Sequence, residues 1–337
     1  MKKNSNSSRG VAQIILLCLV IGVIIGILIG YFIKKPSVNT TYAVREKTNE
    51  FKFIKPLLVV ENTNTAPSPQ YQSLYDTIQS YIKTHSDTVD KTSVYLIDYG
   101  QDGGRFIING SDQYYPSSLM KVVVMIAYFK KTETDPNILN TQLVYQSAIE
   151  QTLQENTFNS PTTLEVGRSY TVSELIDNMI TNSDNGAMNL LIDNLGYKQL
   201  NTIYSDLGLS APSPDGNDYT ISVKDYSLFF RILYNATYLS PEMSERALSI
   251  LSKATFTDGL VTGIPKDTLT AHKFGEHVFS TDGKNIDAVE LHDCGIVYTS
   301  NHPYFLCIMT HGDSLDALKK IIGDISKMVY VGVVKDK

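Results

Sequence analysis

The chain has 337 residues, 42% of them hydrophobic, which is enough for one large domain or two small ones once tails are set aside. Its net charge is −6, and no basic stripe of the kind that binds nucleic acid runs through it, so no nucleic-acid partner is expected. Three cysteines do not make a disulfide framework.

Residues 1–10 are polar and basic and are read as a cytoplasmic tail. Val11 to Ile33 then runs without a charge up to Lys34, Lys35 and Pro36. Such a length spans a bilayer. The run ends in Tyr31-Phe32-Ile33 rather than in small residues, which favours an uncleaved single-pass anchor at 11–33 with the bulk of the chain extracytoplasmic. Gly22, Gly26 and Gly30 repeat every four residues on one helix face, a candidate close-packing dimer surface, although glycine is also common in such helices without a partner. Residues 34–67 are rich in Asn, Thr, Pro and Ser and read as an extracytoplasmic linker. The apolar piece Phe51 to Val60 interrupts it and is expected to dock on the folded domain, here placed at 68–335.

Within that domain, Leu74, Ile78 and Ile82 recur at helical spacing. Thr92 to Asp98 alternates like a strand, Gly100 to Gly104 supplies a turn, and Arg105 to Asn109 forms the next strand. A short loop then delivers Pro116-Ser117-Ser118-Leu119-Met120-Lys121 and the apolar run from Val122 to Ala127, a helix predicted to be buried nearly all round. Thr171 and Glu174 are spaced as a capping box for a helix that stops at Asn182-Ser183-Asp184-Asn185-Gly186. A second helix starts at once and ends at Gly196. Further helices are predicted at 223–235 and 241–253, strands at 270–277, 287–298 and 303–310, and a closing helix from about Leu315 to Val329. The order fits an α+β fold: one antiparallel sheet split by an inserted helical region at about 118–255. Cys294 and Cys307 flank the hairpin turn at Ser300–Asn301 and are read as two small buried side chains rather than a bridge.

Chemistry is carried by spacing. A serine hydroxyl is a poor nucleophile at neutral pH. With a helix starting near Ser118, Lys121 shares its face, and a lysine half-buried among apolar side chains can accept the hydroxyl proton. A serine in this position is more commonly a helix cap, so the pair needs partners elsewhere. Two more short motifs follow in order, Ser183-Asp184-Asn185 in a loop between helices and Lys273-Phe274-Gly275 on a strand. Together the three resemble the Ser-x-x-Lys, Ser-Asp-Asn and Lys-Thr-Gly set of class A β-lactamases and penicillin-binding proteins, over roughly residues 70–332.

That resemblance implies an α/β/α sandwich with a five-stranded antiparallel sheet and a helical subdomain. It also implies a serine hydrolase; no His-x-x-x-His or paired-cysteine spacing supports a metal, and no cofactor is expected. Ser118 is then acylated, Lys121 removes its proton, and Ser183 relays a proton to the leaving nitrogen. Asn185 positions Lys121 and the substrate amide, and Lys273 supplies positive charge. The backbone N–H groups of Ser118 and Glu276 form the oxyanion hole, Gly275 lets substrate approach the strand, and Asp184 is structural. Two departures stand out. Phe274 replaces a hydroxyl residue that binds the substrate carboxylate. The stretch Leu207–Ser227 holds Asp215 and Asp218 but no Glu to activate the deacylating water, and an aspartate beside Gly216 and Asn217 is an ordinary turn former. Three readings stay open: a β-lactam hydrolase, a carboxypeptidase or transpeptidase on peptidoglycan stem peptides ending in D-Ala, and a sensor of cell-wall peptides or β-lactams that stays acylated.

Overall fold

The computed structural model describes residues 43–45, 51–60, 66–100, 103–147, 164–213, 219–300 and 302–335. The expected membrane anchor, the Gly22/Gly26/Gly30 face, Asp215 and Asp218 lie outside them. Among the described residues no helix is long and apolar enough to cross a membrane.

Strands β1 (Ala43–Arg45) and β2 (Leu57–Val60) pair with each other. Helix α1 (Gln72–Thr84) leads into β3 (Lys91–Asp98) and β4 (Gly104–Ile108). After the short strand β5 (Gln113–Tyr114), a 3-10 turn at Ser117–Leu119 opens α2 (Met120–Lys131). Then come β6 (Gln142–Val144), β7 (Ser169–Thr171), α3 (Val172–Thr181), α4 (Asn185–Leu195) and α5 (Tyr197–Asp206). The order continues with β8 (Ile221–Ser222), α6 (Val223–Tyr234) and α7 (Pro241–Leu251). It closes with β9 (Thr270–Phe279), β10 (Ala288–Val297), β11 (Tyr304–Gly312) and α8 (Leu315–Lys335).

The main sheet is antiparallel with strand order β4-β3-β11-β10-β9. The chain enters it through two strands, leaves for the helical block and returns through three, as the sequence order predicts. Period-two alternation divides the core. Phe305, Cys307 and Met309 face the helical block, while Leu306 and Ile308 face the layer that holds α8 and α1. The capping box at the start of α3 is formed: Glu174 N–H donates to Thr171 Oγ1 at 3.1 Å, and Thr171 N–H donates to Glu174 Oε2 at 2.7 Å.

Cys294 and Cys307 are joined in a disulfide, which corrects the expectation of two separate thiols. They are direct cross-strand partners in the β10–β11 register, facing each other across the hairpin turn they flank.

The apolar piece ahead of β2 packs as expected. Phe53 and Ile54 are buried. The Glu245 carboxylate accepts three successive backbone N–H groups, from Lys52 at 2.8 Å, Phe53 at 2.8 Å and Ile54 at 3.1 Å. Lys55 N–H donates to Tyr234 O, and Tyr298 Oη donates to Phe53 O at 3.0 Å.

Candidate active site

Ser118 sits in the 3-10 turn, two residues before α2 begins. The residue before it, Ser117, has φ +47°. A left-handed conformation at a non-glycine residue costs about 1–3 kcal/mol and survives only where its surroundings over-determine it. Here Leu119 is fully buried, its N–H bonds back to Pro116 O, and its carbonyl accepts Tyr226 Oη at 3.1 Å. The buried run from Lys121 to Phe129 then fixes the helix, leaving Ser118 half-exposed at its mouth.

Lys121 is fully buried, and its amine makes four contacts: Ser118 Oγ at 2.7 Å, Ser183 O at 2.7 Å, Ser183 Oγ at 3.1 Å and Asn185 Oδ1 at 2.6 Å. Two of these partners, the Ser183 carbonyl and Asn185 Oδ1, can only accept. Were the amine to lose a proton, two N–H groups would remain for those two atoms and its lone pair could face the Ser118 hydroxyl. This is the arrangement a general base requires.

Ser183 closes the loop between α3 and α4, again with a left-handed backbone at φ +57°. Asp184 caps α4 by accepting Ala187 N–H at 3.0 Å, the structural role expected of it. Asn185 is the first residue of that helix. Across the cleft, the amine of Lys273 on β9 donates to Ser183 Oγ at 2.9 Å and to Phe274 O at 2.9 Å. One hydroxyl therefore lies between two buried amines. Burial, and after it the positive charge of Lys121, pushes the Lys273 amine well below the ordinary lysine range. Two ammonium groups this close in a dry site repel, so a charge on either amine disfavours a charge on the other.

The three motifs thus converge through four side chains, Ser118, Lys121, Ser183 and Lys273, with Asn185 attached to Lys121. Glu276 is 4% exposed, and burial raises its carboxyl to about 7 against the opposing pull of Lys273 and Lys121. Phe274 stacks on Phe256 with ring centroids 4.0 Å apart, and the Lys273 amine lies 3.9 Å from the Phe274 ring centroid. An aromatic wall stands where a hydroxyl was expected. Gly275 abuts the nucleophile's own turn: a Cβ there would come within 2.6 Å of Pro116 O and 2.8 Å of Leu119 Cγ. The space that glycine leaves is occupied by residues 116–119.

Sequence reasoning missed four contributors. Phe256 and Tyr226 lie in segments without a motif. Glu290 and His292 on β10 hold the backbone of Tyr115, with Tyr115 N–H donating to Glu290 Oε2 at 2.9 Å and His292 Nε2 lying 3.1 Å from Tyr115 O. Their signal was faint: polar residues alternating within an otherwise apolar strand.

The model of the Beta-lactamase enzyme family matches residues 73–333. A β-lactamase of Streptomyces lavendulae is 23% identical over 233 residues, covering 64% of this chain and 72% of that protein. Among solved structures, the penicillin G acyl-enzyme of a PBP-A point mutant superposes with a TM-score of 0.64 at 21% identity, over 78% of this chain and 97% of that one. A β-lactamase from Sphaerobacter thermophilus gives 0.62 at 21% identity, over 77% of this chain and 97% of that one. At these identities the solved structures speak to the fold.

Proposed function

Since the chain belongs to the β-lactamase enzyme family, a family of serine hydrolases that act through an acyl-enzyme, we propose that Ser118 is its nucleophile and that it acts on β-lactams or related amides. The observation that carries this reading is the 2.7 Å contact between Lys121 Nζ and Ser118 Oγ, made by a fully buried amine that in its neutral form can take the hydroxyl proton. Ser118 Oγ attacks the carbonyl carbon while its proton passes to Lys121. The backbone N–H groups of Ser118 and Glu276 receive the oxyanion. As the C–N bond breaks, the leaving nitrogen takes a proton from the Ser183 hydroxyl, which is refilled from Lys121 or Lys273. The product is an ester on Ser118. The bound penicillin G of the PBP-A acyl-enzyme supports a β-lactam as one such donor.

A second reading is a peptidoglycan enzyme acting on D-Ala-terminated peptides with a long-lived β-lactam adduct. It is favoured by the lack of glutamate across Leu207–Ser227, since without a base for water the ester hydrolyses slowly. In either case the apolar run 11–33 supports a membrane-tethered enzyme facing outward.

The test uses the full-length protein, a fluorescent penicillin and a chromogenic cephalosporin, with Ser118→Ala as control. Label confined to the wild type, together with turnover, supports a β-lactam hydrolase. Label that persists without turnover supports the peptidase or sensor reading. Equal label on the Ser118→Ala variant removes Ser118 from the mechanism.

A further inference from the structure

The site's four side chains leave unexplained why the sheet beneath them buries a carboxylate among histidines. Glu290 is 2% exposed and His292 is fully buried. Burying a carboxylate costs several kcal/mol unless specific partners compensate. Those partners are arranged in rows. One row crosses three strands in register, His277 on β9, Glu290 on β10 and His311 on β11. The next places Gly275 beside His292. Both rows face residues 114–119, the segment that delivers the nucleophile.

The contacts to that segment are to its backbone. Tyr115 N–H donates to Glu290 Oε2 at 2.9 Å. His292 Nδ1 lies 3.3 Å from Thr310 N, and because an amide N–H can only donate, Nδ1 is the accepting nitrogen. The hydrogen is then on Nε2, which points at Tyr115 O from 3.1 Å. One residue is gripped by both of its peptide groups. The Tyr115 ring is fixed too, stacked on His277 with centroids 4.6 Å apart and planes 9° from parallel, with Phe279 edge-on at 5.6 Å. The other carboxylate oxygen, Oε1, lies 3.3 Å from His311 Nδ1. The nearby His292 ring, with hydrogen bonds from the Tyr115 N–H and His311, outweighs burial and keeps Glu290 below the usual glutamate range, so it stays an acceptor at neutral pH.

Ser117, two residues on, holds its left-handed backbone, and Ser118 follows. The Leu119 end of this turn is anchored by Tyr226, as described above. The Tyr115 end needs an anchor of comparable stiffness for the strained turn to persist. We infer that Glu290 and His292 are positioning residues for catalysis, clamping the Tyr115 backbone so that Ser118 Oγ stays in line with Lys121. The clamp rests on the serine-hydrolase reading for its purpose, but not for its geometry.

Glu290→Ala and Glu290→Gln in the full-length protein test it, read by stopped-flow acylation with a fluorescent penicillin and by crystal structures. Glutamine can still accept the Tyr115 N–H; alanine cannot. In the alanine variant the acylation rate constant is expected to fall about a hundredfold, the loss an ångström of misplacement produces, with non-covalent affinity unchanged. The Ser118 Oγ–Lys121 Nζ contact should open by about 1 Å or more. The glutamine variant should stay within about threefold of wild type. A folded alanine variant that keeps the 2.7 Å contact or the wild-type rate overturns the inference, as does a glutamine variant as impaired as alanine. If Glu290→Ala does not fold, His277→Ala decides, since it loosens the half-buried ring stack without orphaning a charge. A rate about fivefold lower at equal affinity supports the clamp, and an unchanged rate refutes it. If wild-type Ser118 takes no label, the hydrolase reading fails on its own, and the crystallographic contact alone judges the clamp.

Discussion

Two polar clusters are buried on opposite faces of β9, one residue apart in sequence. Lys273 points toward the helical block, where its amine and that of Lys121 share the Ser183 hydroxyl. His272 points the other way. Its Nδ1 lies 2.9 and 3.1 Å from the two carboxylate oxygens of Asp293, and Leu260 N–H donates to the same carboxylate at 2.8 Å. In the second cluster each donor meets an acceptor and the acid faces a base, so nothing is left to react. In the first, two buried amines share one hydroxyl beside a half-exposed serine. The difference teaches that burial alone does not mark a reactive group. The reactive cluster is the one in which two bases meet a single hydroxyl.

Substitutions that unmatch one cluster and relieve the other put this contrast to work. The largest effect is expected from Lys121→Met, which removes the base. Acylation of Ser118 should fall about a thousandfold. Because an apolar chain replaces a buried amine that faces another, the urea midpoint should hold or rise. A falling midpoint would mean that the amines stabilise the fold. Asp293→Ala should do the opposite. It strands a buried imidazole and the Leu260 N–H, at about 3–5 kcal/mol of unfolding free energy by urea titration. The acylation rate per folded molecule should change by no more than about fivefold.

Lys273→Met should slow acylation about a hundredfold and also flatten the dependence of stability on pH. The native amine has lost its proton at pH values where the unfolded one, with an ordinary value of 10.5, still holds it. The unfolded state then binds more protons, so wild-type stability climbs with pH from the depressed native value up to the ordinary one. Unfolding free energies measured from pH 7 to 10 should show that climb in wild type and not in the variant. The smallest effect is expected from Phe274→Thr. Restoring a hydroxyl beside Lys273 should raise kcat/KM for a carboxylate-bearing penicillin by about threefold to tenfold. No gain would mean that the Phe256–Phe274 wall is not what limits that substrate.

The reactive cluster was the more legible of the two. Ser118 and Lys121 lie within one helical turn, Ser183 and Asn185 within one loop, and the order of the elements carrying them follows from local periodicity. What escaped is non-local or lacks a pattern. The disulfide depends on strand register. The Glu290–His292 grip on Tyr115 joins residues about 175 apart, and no spacing rule reaches that far. Helix α5 was missed although Leu200, Ile203 and Tyr204 recur at helical spacing, because it restarts directly after Gly196 with no loop to set it apart. The site's outline was readable because helices bring together neighbours in sequence. Its support was not, because a sheet brings together strangers.

The way Glu245 receives the chain at residues 52–54 has a practical consequence. Its partners are peptide N–H groups, so no replacement in that stretch short of proline removes one, but trimming removes all three. A secreted version cut just before α1 would lose Phe53 and Ile54 from their slots, expose the apolar floor beneath them and deprive Tyr298 of its acceptor. Such a trimmed protein should melt earlier and self-associate, whereas one that begins ahead of Phe51 keeps its own plug.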